Sequence, residues 1–535
     1  MALPQPAPAS GRRPAQHLRL SPAVSAQAMS VVLFFALATL RFMVAPLDRY
    51  DEGVTLTKAA LTAAGQIPFR DYWITYGPLD TYILAAAFKT VAVNVMVERA
   101  LGIVVLALLA IVAYAVTGRL GLRGGIRLLL TGLISVVPIS VPAFNSAFLA
   151  NLVGVTAVLA FLYSLDRDQR RWPLLTGALI GLASFSRPEF ALALGIGLLA
   201  GYVATGLDGH ALRARVVPYL LSAVGVATGL WGVTVLIAGT SPVWFDLVTY
   251  ATSLYPQARR IPFGRGDEAA VVIVLGMAFA AIWVWGLVRA YGQRSSVEER
   301  ARVIALLVSG VLLFTWVRTR ADGIHAMDAW PVSAILLALL LERRSLRSTP
   351  PRPMVQALVP VVGILMLSVA AGGLVYRDLS QPHAAAGVPR SGLSGERAWM
   401  PTTELAEVIR DIDALTPEGD PIWVGLRRND LVTFNDTTLY FLSARNPGTV
   451  YYEALPGLTN TESGGRTIAC QLARAGVALA VLGPTSAGEP WNLSSVPGSP
   501  FLDQWLAART ITRSQVGPYQ LLRLTPGLHP DDRCP

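Results

Sequence analysis

Three carboxylates crowd into five residues at Asp48, Asp51 and Glu52, directly after an apolar run covering residues 24–45. Acidic side chains at a membrane surface cost free energy unless they meet a cation, take up a proton or bind a substrate. Acids in the first turn of a helix also favour its dipole, so a solvated helix start accounts for the same residues. An amphipathic stretch at 54–64 leads on to Gly65-Gln66-Ile67-Pro68-Phe69-Arg70-Asp71-Tyr72 and then to Tyr76-Gly77-Pro78. Three further polar islands interrupt the apolar sequence. Ser186-Arg187-Pro188-Glu189 is the first, and its bland reading is a helix-end arginine paired with Glu189. The second, 239–268, carries Trp244, Tyr250, Tyr255, Arg259, Arg260, Arg265 and Asp267. Guanidinium groups suit an anionic lipid head group and aromatic faces suit a sugar ring, although an interfacial aromatic belt has the same composition. The third runs from Arg318 to His325 through Arg320 and Asp322, and a structural ion-pair turn competes with an anion site there.

The elements that must position these residues are membrane helices. Of 535 residues, 53% are hydrophobic and only 15% charged, against roughly 25% charged in soluble domains. The mean hydropathy is +0.50. Apolar segments fall at 24–45, 78–96, 98–118, 127–142, 144–164, 174–186, 189–206, 216–238, 269–290, 302–318, 327–342 and 355–376. Most reach the length of about 20 residues that crosses a bilayer as a helix. The net charge of +10 does not indicate nucleic acid, because the arginines cluster between apolar runs, where membrane topology demands them. A soluble enzyme is excluded on the same pattern. Lysine is nearly absent (Lys58 and Lys89), while Ala, Gly, Pro and Arg abound, a composition like that of a high-GC bacterial gene.

Arginine clusters at 119–127, 167–171, 213–215, 289–302 and 343–352 are each separated by two apolar segments, so all can face the cytoplasm together with the N-terminal tail, 1–23. Parity then requires one of the first three segments not to cross. The segment 78–96, with Asp80, Lys89 and Asn94, is the one expected to stay at the surface. About 11 crossings result, with a transmembrane domain over 24–376 and a large first outer loop at 45–97. Residues 377–535 are expected to form a small extracytoplasmic α/β domain. Its helices are expected at 403–415, 466–475 and 501–509, and its strands at 421–425, 477–483 and 520–524. It has no glycine-rich nucleotide motif. Cys470 and Cys534 both lie in it, as a disulfide or as two free thiols. No metal-ligand spacing is present, so no cofactor is required, though a divalent metal near Asp51 and Glu52 stays open.

The order of motifs in residues 48–80 resembles the GT-C class of membrane glycosyltransferases: an acidic pair after the first helix, a short amphipathic helix, Ile67-Pro68-Phe69-Arg70-Asp71, then Tyr76-Gly77-Pro78. The nearest branch is that of bacterial relatives of protein O-mannosyltransferases and of lipid A aminoarabinose transferases. The transmembrane plan of 24–376 fits the class more loosely. The resemblance implies an all-α GT-C-like membrane domain in the inner membrane and a sugar donor carried on polyprenyl phosphate. It implies Asp51 as the general base, Glu52 as the supporting carboxylate and Asp48 as the rival for either role. Arg187 then takes the place of a basic residue that contacts the lipid phosphate. Tyr76, Arg259, Arg260, Arg318, Arg320 and His325 are candidates for the same phosphate, with Asp322 orienting one of them. Asp71 and Tyr255 fall on the acceptor side. The segment from Asn435-Asp436-Thr437 to Arg445 and Pro447 shapes acceptor binding or caps the membrane part. The implied partners are the lipid-linked donor, an acceptor glycan, lipid or protein, and membrane lipids, with no nucleic acid. The alternatives are a transporter or flippase of lipid-linked sugars, and a non-catalytic cell-envelope assembly protein. Against a transporter, the apolar segments are mostly free of charge and no internal repeat is evident.

Overall fold

The computed structural model describes residues 47–136, 144–167, 169–206, 209, 212–266, 268–292, 295–341, 403–431, 433–485, 496–528 and 534. The N-terminal tail, the apolar segments at 24–45 and 355–376, the cluster at 343–352, Asp267 and the boundary near residue 377 lie outside them.

Six helices among the described residues are long and apolar enough to cross a bilayer: Val95–Arg119, Ser146–Asp166, Arg213–Ala238, Ala269–Ala290, Val297–Arg318 and Gly323–Leu340. Shorter apolar helices run at Gly124–Ser135 and Pro188–Val203. The chain is a multi-pass membrane protein. Helix α1, Asp51–Ala63, is amphipathic and lies beside α2, Leu79–Thr90. With 12 residues, α2 is about 18 Å long, short of the roughly 30 Å hydrocarbon core. The chain breaks at 91–94, where Asn94 accepts from the amide of Met96 and starts α3, Val95–Arg119. At the centre of the bundle every residue from Trp330 to Leu340 is buried, and the Trp330 indole donates to the carbonyl of Leu133 at 2.6 Å. The helix Val217–Ala238 instead leaves Leu221, Val224, Val233 and Leu236 exposed, as a lipid-facing helix must.

One end of the bundle gathers the arginines. Asp166 takes ion pairs from Arg119 and from Arg302, and Arg289 donates to Glu299 at 2.6 Å. Arg167 packs over Tyr163, and Arg215 and Arg302 act electrostatically on Glu298. Clusters far apart in sequence therefore share one end, opposite the end that holds α1.

The C-terminal domain carries a five-stranded sheet. Its strands are β1 (Pro421–Leu426), β2 (Asn446–Pro447), β3 (Leu479–Gly483), β4 (Thr510–Val516) and β5 (Tyr519–Leu524), in the order β2-β1-β3-β5-β4. β1 is parallel to β2 and β3, while β5 is antiparallel to both β3 and β4. The helices Thr403–Leu415 and Phe501–Arg509 form where the sequence pattern puts them, and Glu462–Arg474 starts four residues before the expected 466–475. Edge strand β4 was not expected, since its solvent-facing TITRSQV has no apolar alternation, and neither was the short helix Thr438–Leu442. Cys470 and Cys534 form a disulfide. The polar island 239–268 is helical from Thr240 to Arg259, with a π-helical middle at Phe245–Leu254.

The segment from Asp48 to Tyr76 and the sheet domain are seated directly on one another. Thr57 donates to the carbonyl of Thr437 at 3.0 Å, and the amide of Trp73 to the carbonyl of Val450 at 2.9 Å. Gly53 makes this fit possible, since a Cβ there would stand 2.5 Å from the Thr437 hydroxyl and 2.7 Å from the Thr438 amide nitrogen. Gly53→Ala should loosen the domain from the loop, and faster limited proteolysis of the C-terminal domain than in the wild type checks it.

Candidate active site

The polar end is built from the start of α1 outward. Asp48 acts as a local cap: its Oδ1 accepts from the amides of Tyr50 and Asp51, both at 2.8 Å. Glu52 is fully buried and turned toward the membrane domain, where Arg99 donates to both its oxygens at 2.7 and 3.0 Å. Of the three carboxylates, only Asp51 is left exposed without a structural hydrogen bond to its side chain, among the described residues. Although the residue is open to solvent on one side, desolvation by the protein around its carboxyl and then the charge of Asp48 push that group up to about 6, against the lowering effect of Arg259.

Around Asp51 stands a continuous ring of polar side chains. Arg259 is buried over the Phe434 ring at 4.3 Å, and the Phe434 ring lies tilted against Tyr50 with centroids 3.9 Å apart. Tyr250, Tyr255 and Tyr76 follow. Burial and the neighbouring charges of Glu453 and Tyr255 raise the Tyr250 hydroxyl well above its ordinary value. Tyr76 carries the Arg187 guanidinium over its face at 4.8 Å. Gly77 secures that contact: its amide donates to the Ser186 carbonyl at 3.0 Å, and a side chain there would strike the backbone of Phe185. The Tyr-Gly-Pro and Ser-Arg-Pro-Glu motifs are thus two halves of one junction. Arg187 donates to Glu189 at 2.6 Å and reaches Asp328 at 3.5 Å, and despite burial these two carboxylates raise its already high affinity for the proton.

The third island closes the ring. The backbones of Ile261 and 319–321 pair as in a short parallel bridge, and Arg320 reaches the carbonyl of Arg259 at 3.4 Å. Arg320 donates to Asp322 at 3.0 Å, and His325 Nδ1 lies 2.6 Å from the other oxygen of the same carboxylate. Although burial opposes it, the His325 hydrogen bond holds Asp322 well below the usual carboxylate range.

Asp51, Tyr76, Arg187, Tyr255, Arg259, Arg320, Asp322 and His325 therefore share one end of the molecule. Arg260 and Arg318 lie exposed on its margin. Asp71 is spent on its own turn, accepting from the Ile67 amide and from Arg70, each at 2.8 Å. Among the described residues no group of three or more His, Cys, Asp or Glu side chains is placed to hold a metal ion.

Sequence reasoning missed what the C-terminal domain contributes. Glu453 is 2% exposed and accepts from the Tyr50 hydroxyl at 3.0 Å. Burial pushes its carboxyl up to about 7, against the hydrogen bond from Tyr50. Asp246, on the π-helical segment, is pushed by burial up to about 8. Lys58 and Asp80 make a buried ion pair at 2.6 Å beneath them. A lone glutamate 402 residues from Asp51 carries no local signal of this proximity.

The fold is similar to that of two solved membrane glycosyltransferases, in line with the resemblance carried by the first-loop motifs. ArnT from Cupriavidus metallidurans, solved bound to undecaprenyl phosphate, superposes with a TM-score of 0.57 at 13% identity, over 94% of this chain and 98% of that one. The arabinofuranosyltransferase AftD from mycobacteria superposes with a TM-score of 0.50 at 12% identity, over 95% of this chain and 40% of that much longer one. No protein-family model matches the sequence, and no curated protein does.

Proposed function

We propose that this protein is a glycosyltransferase that moves a sugar from a polyprenyl-phosphate donor to an acceptor hydroxyl at the outer face of the cytoplasmic membrane. The observation that carries the reading is the exposed Asp51 carboxylate, poised near neutrality inside a ring of arginines and tyrosines. Asp51 takes the proton of the acceptor hydroxyl as that oxygen bonds to the anomeric carbon. The bond from that carbon to the phosphate oxygen breaks on the opposite face, and its electron pair leaves with the lipid phosphate. The anomeric configuration inverts. Arg259, Arg320 and Arg187 offset the growing charge on the phosphate, with Arg260 and Arg318 at the approach. Glu52 supports the base indirectly, by anchoring its loop to Arg99. The polyprenyl phosphate bound by ArnT supports the donor class. The Cys470–Cys534 disulfide supports a C-terminal domain outside the cytoplasm.

The test is transfer of radiolabelled sugar from a panel of synthetic polyprenyl-phosphate donors by the purified protein. Transfer or slow donor hydrolysis with at least one donor is expected. A monodisperse, folded protein that turns over none of them overturns the reading.

A further inference from the structure

We infer that Glu453 of the C-terminal domain is a positioning residue of this site, fixing the general base through Tyr50; the inference rests on the transferase reading above. Tyr50 immediately precedes Asp51 and is the residue through which the start of α1 is steered. Its amide is held by Asp48, its carbonyl accepts from Val54 at 2.7 Å, and its ring lies against Phe434, the same ring that carries Arg259. Whatever holds the Tyr50 ring therefore sets both the base and the guanidinium whose charge acts on it. The hydroxyl end of that ring is held by Glu453, across 403 residues of sequence.

Glu453 is itself built into a rigid seat. The Val450 carbonyl accepts from the Trp73 amide at 2.9 Å, the Ala454 amide donates to Asn435 Oδ1 at 2.7 Å, and Asn435 Nδ2 donates to the Tyr452 carbonyl at 2.8 Å. The segment is thus pinned to the first loop on one side and to the sheet domain on the other. Energetically the residue is a poor choice for stability. A buried carboxylate held by a phenol, with the Thr75 hydroxyl and the Lys58 ammonium acting on it from nearby and its Oε1 short of a well-formed hydrogen bond among the described residues, is less favourable than an apolar side chain of the same size. Such a cost fits a group kept for the geometry it imposes. Base placement is steep in its effect, since a displacement of about 1 Å can cost on the order of 100-fold in rate.

The experiment is a double-mutant cycle in the full-length protein, with kcat and donor KM measured for wild type, Tyr50→Phe, Glu453→Ala, Glu453→Gln and Tyr50→Phe/Glu453→Ala. Tyr50→Phe and Glu453→Ala should each lower kcat by roughly 10- to 100-fold, leaving donor KM within about 2-fold. The double variant should be no slower than the worse single one, because both break the same contact. Glu453→Gln keeps an acceptor for the Tyr50 hydroxyl and should retain most of kcat, a rescue that a merely structural role of the charge would not produce. Tyr50→Phe keeps the ring and its packing, so the cycle stays readable if Glu453→Ala folds poorly. Wild-type kcat in Tyr50→Phe, losses that multiply in the double variant, or a Glu453→Gln as slow as Glu453→Ala each overturn the inference. An inactive wild type removes the transferase reading itself, a different outcome from an active wild type indifferent to these changes.

Discussion

Asp51→Asn should lower turnover by about 10²–10⁴-fold, the contribution of a well-placed general base, while leaving the protein folded. Asparagine keeps the shape and cannot accept the proton. The carboxylate is also a burden to the folded state. Its carboxyl is raised to about 6, against about 3.9 for an unperturbed aspartate. The folded chain thus holds that proton more tightly than the unfolded chain, and Asp51 works against folding as the pH rises through the window between those values. Removing the charge relieves this, so the variant should be no less stable than the wild type at neutral pH. The same shift predicts that wild-type kcat/KM rises with pH with a midpoint near 6. Transfer assays from pH 4.5 to 8 on both proteins check the two statements together. Substantial activity in Asp51→Asn, or a midpoint near an ordinary carboxylate value, would remove Asp51 from the role.

The second large effect concerns stability. Glu52 and Arg99 are 0% and 1% exposed and joined by two hydrogen bonds. Removing one partner of a buried pair typically costs about 3–5 kcal/mol, whereas replacing both by apolar residues is often neutral; Glu98, buried beside both groups, still faces Arg99 in the single variant and moderates the loss. Glu52→Ala should therefore lower the thermal midpoint of the detergent-solubilised protein markedly, and Glu52→Leu/Arg99→Leu should recover most of it. Because Glu52 also accepts from the Asp48 amide at 3.0 Å, the single variant should lose activity along with stability. A single variant as stable as the wild type would mean that Glu98, already beside Arg99, suffices to hold its charge.

Much of the architecture was legible because its signals are local. Unbroken apolar runs gave helices such as Ala269–Ala290 to the residue, and alternation of helix and strand patterns placed β1, β3 and β5 within two residues. Polar islands between apolar runs marked Asp51, Arg187 and Arg320, which the structure brings to one end. The rest was hidden for physical reasons. The π-helical stretch around Tyr250 mixes aromatic and polar residues without a clean period. Glu453 sits in a bend between Tyr452 and Ala454, where no periodicity singles it out, and its meaning comes from partners far away in sequence, the Tyr50 hydroxyl first. The roles of Asp48 and Glu52 separated only once their partners were known, a helix-start amide for one and Arg99 for the other.

The seating of the C-terminal domain on the first loop has a consequence for biosynthesis. The hydrogen bond from Thr57 to Thr437 spans 380 residues, which a ribosome adds in roughly 20–75 s at 5–20 residues per second. Throughout that interval the acidic loop has already left the ribosome while the groups that fix Tyr50 do not yet exist. A nascent chain that has inserted its helices can therefore hold Asp51 in the bilayer's boundary layer, yet cannot hold it in working geometry. The later-made segment positions the earlier-made one, so under the transferase reading a working geometry around Asp51 is acquired in one late step rather than helix by helix.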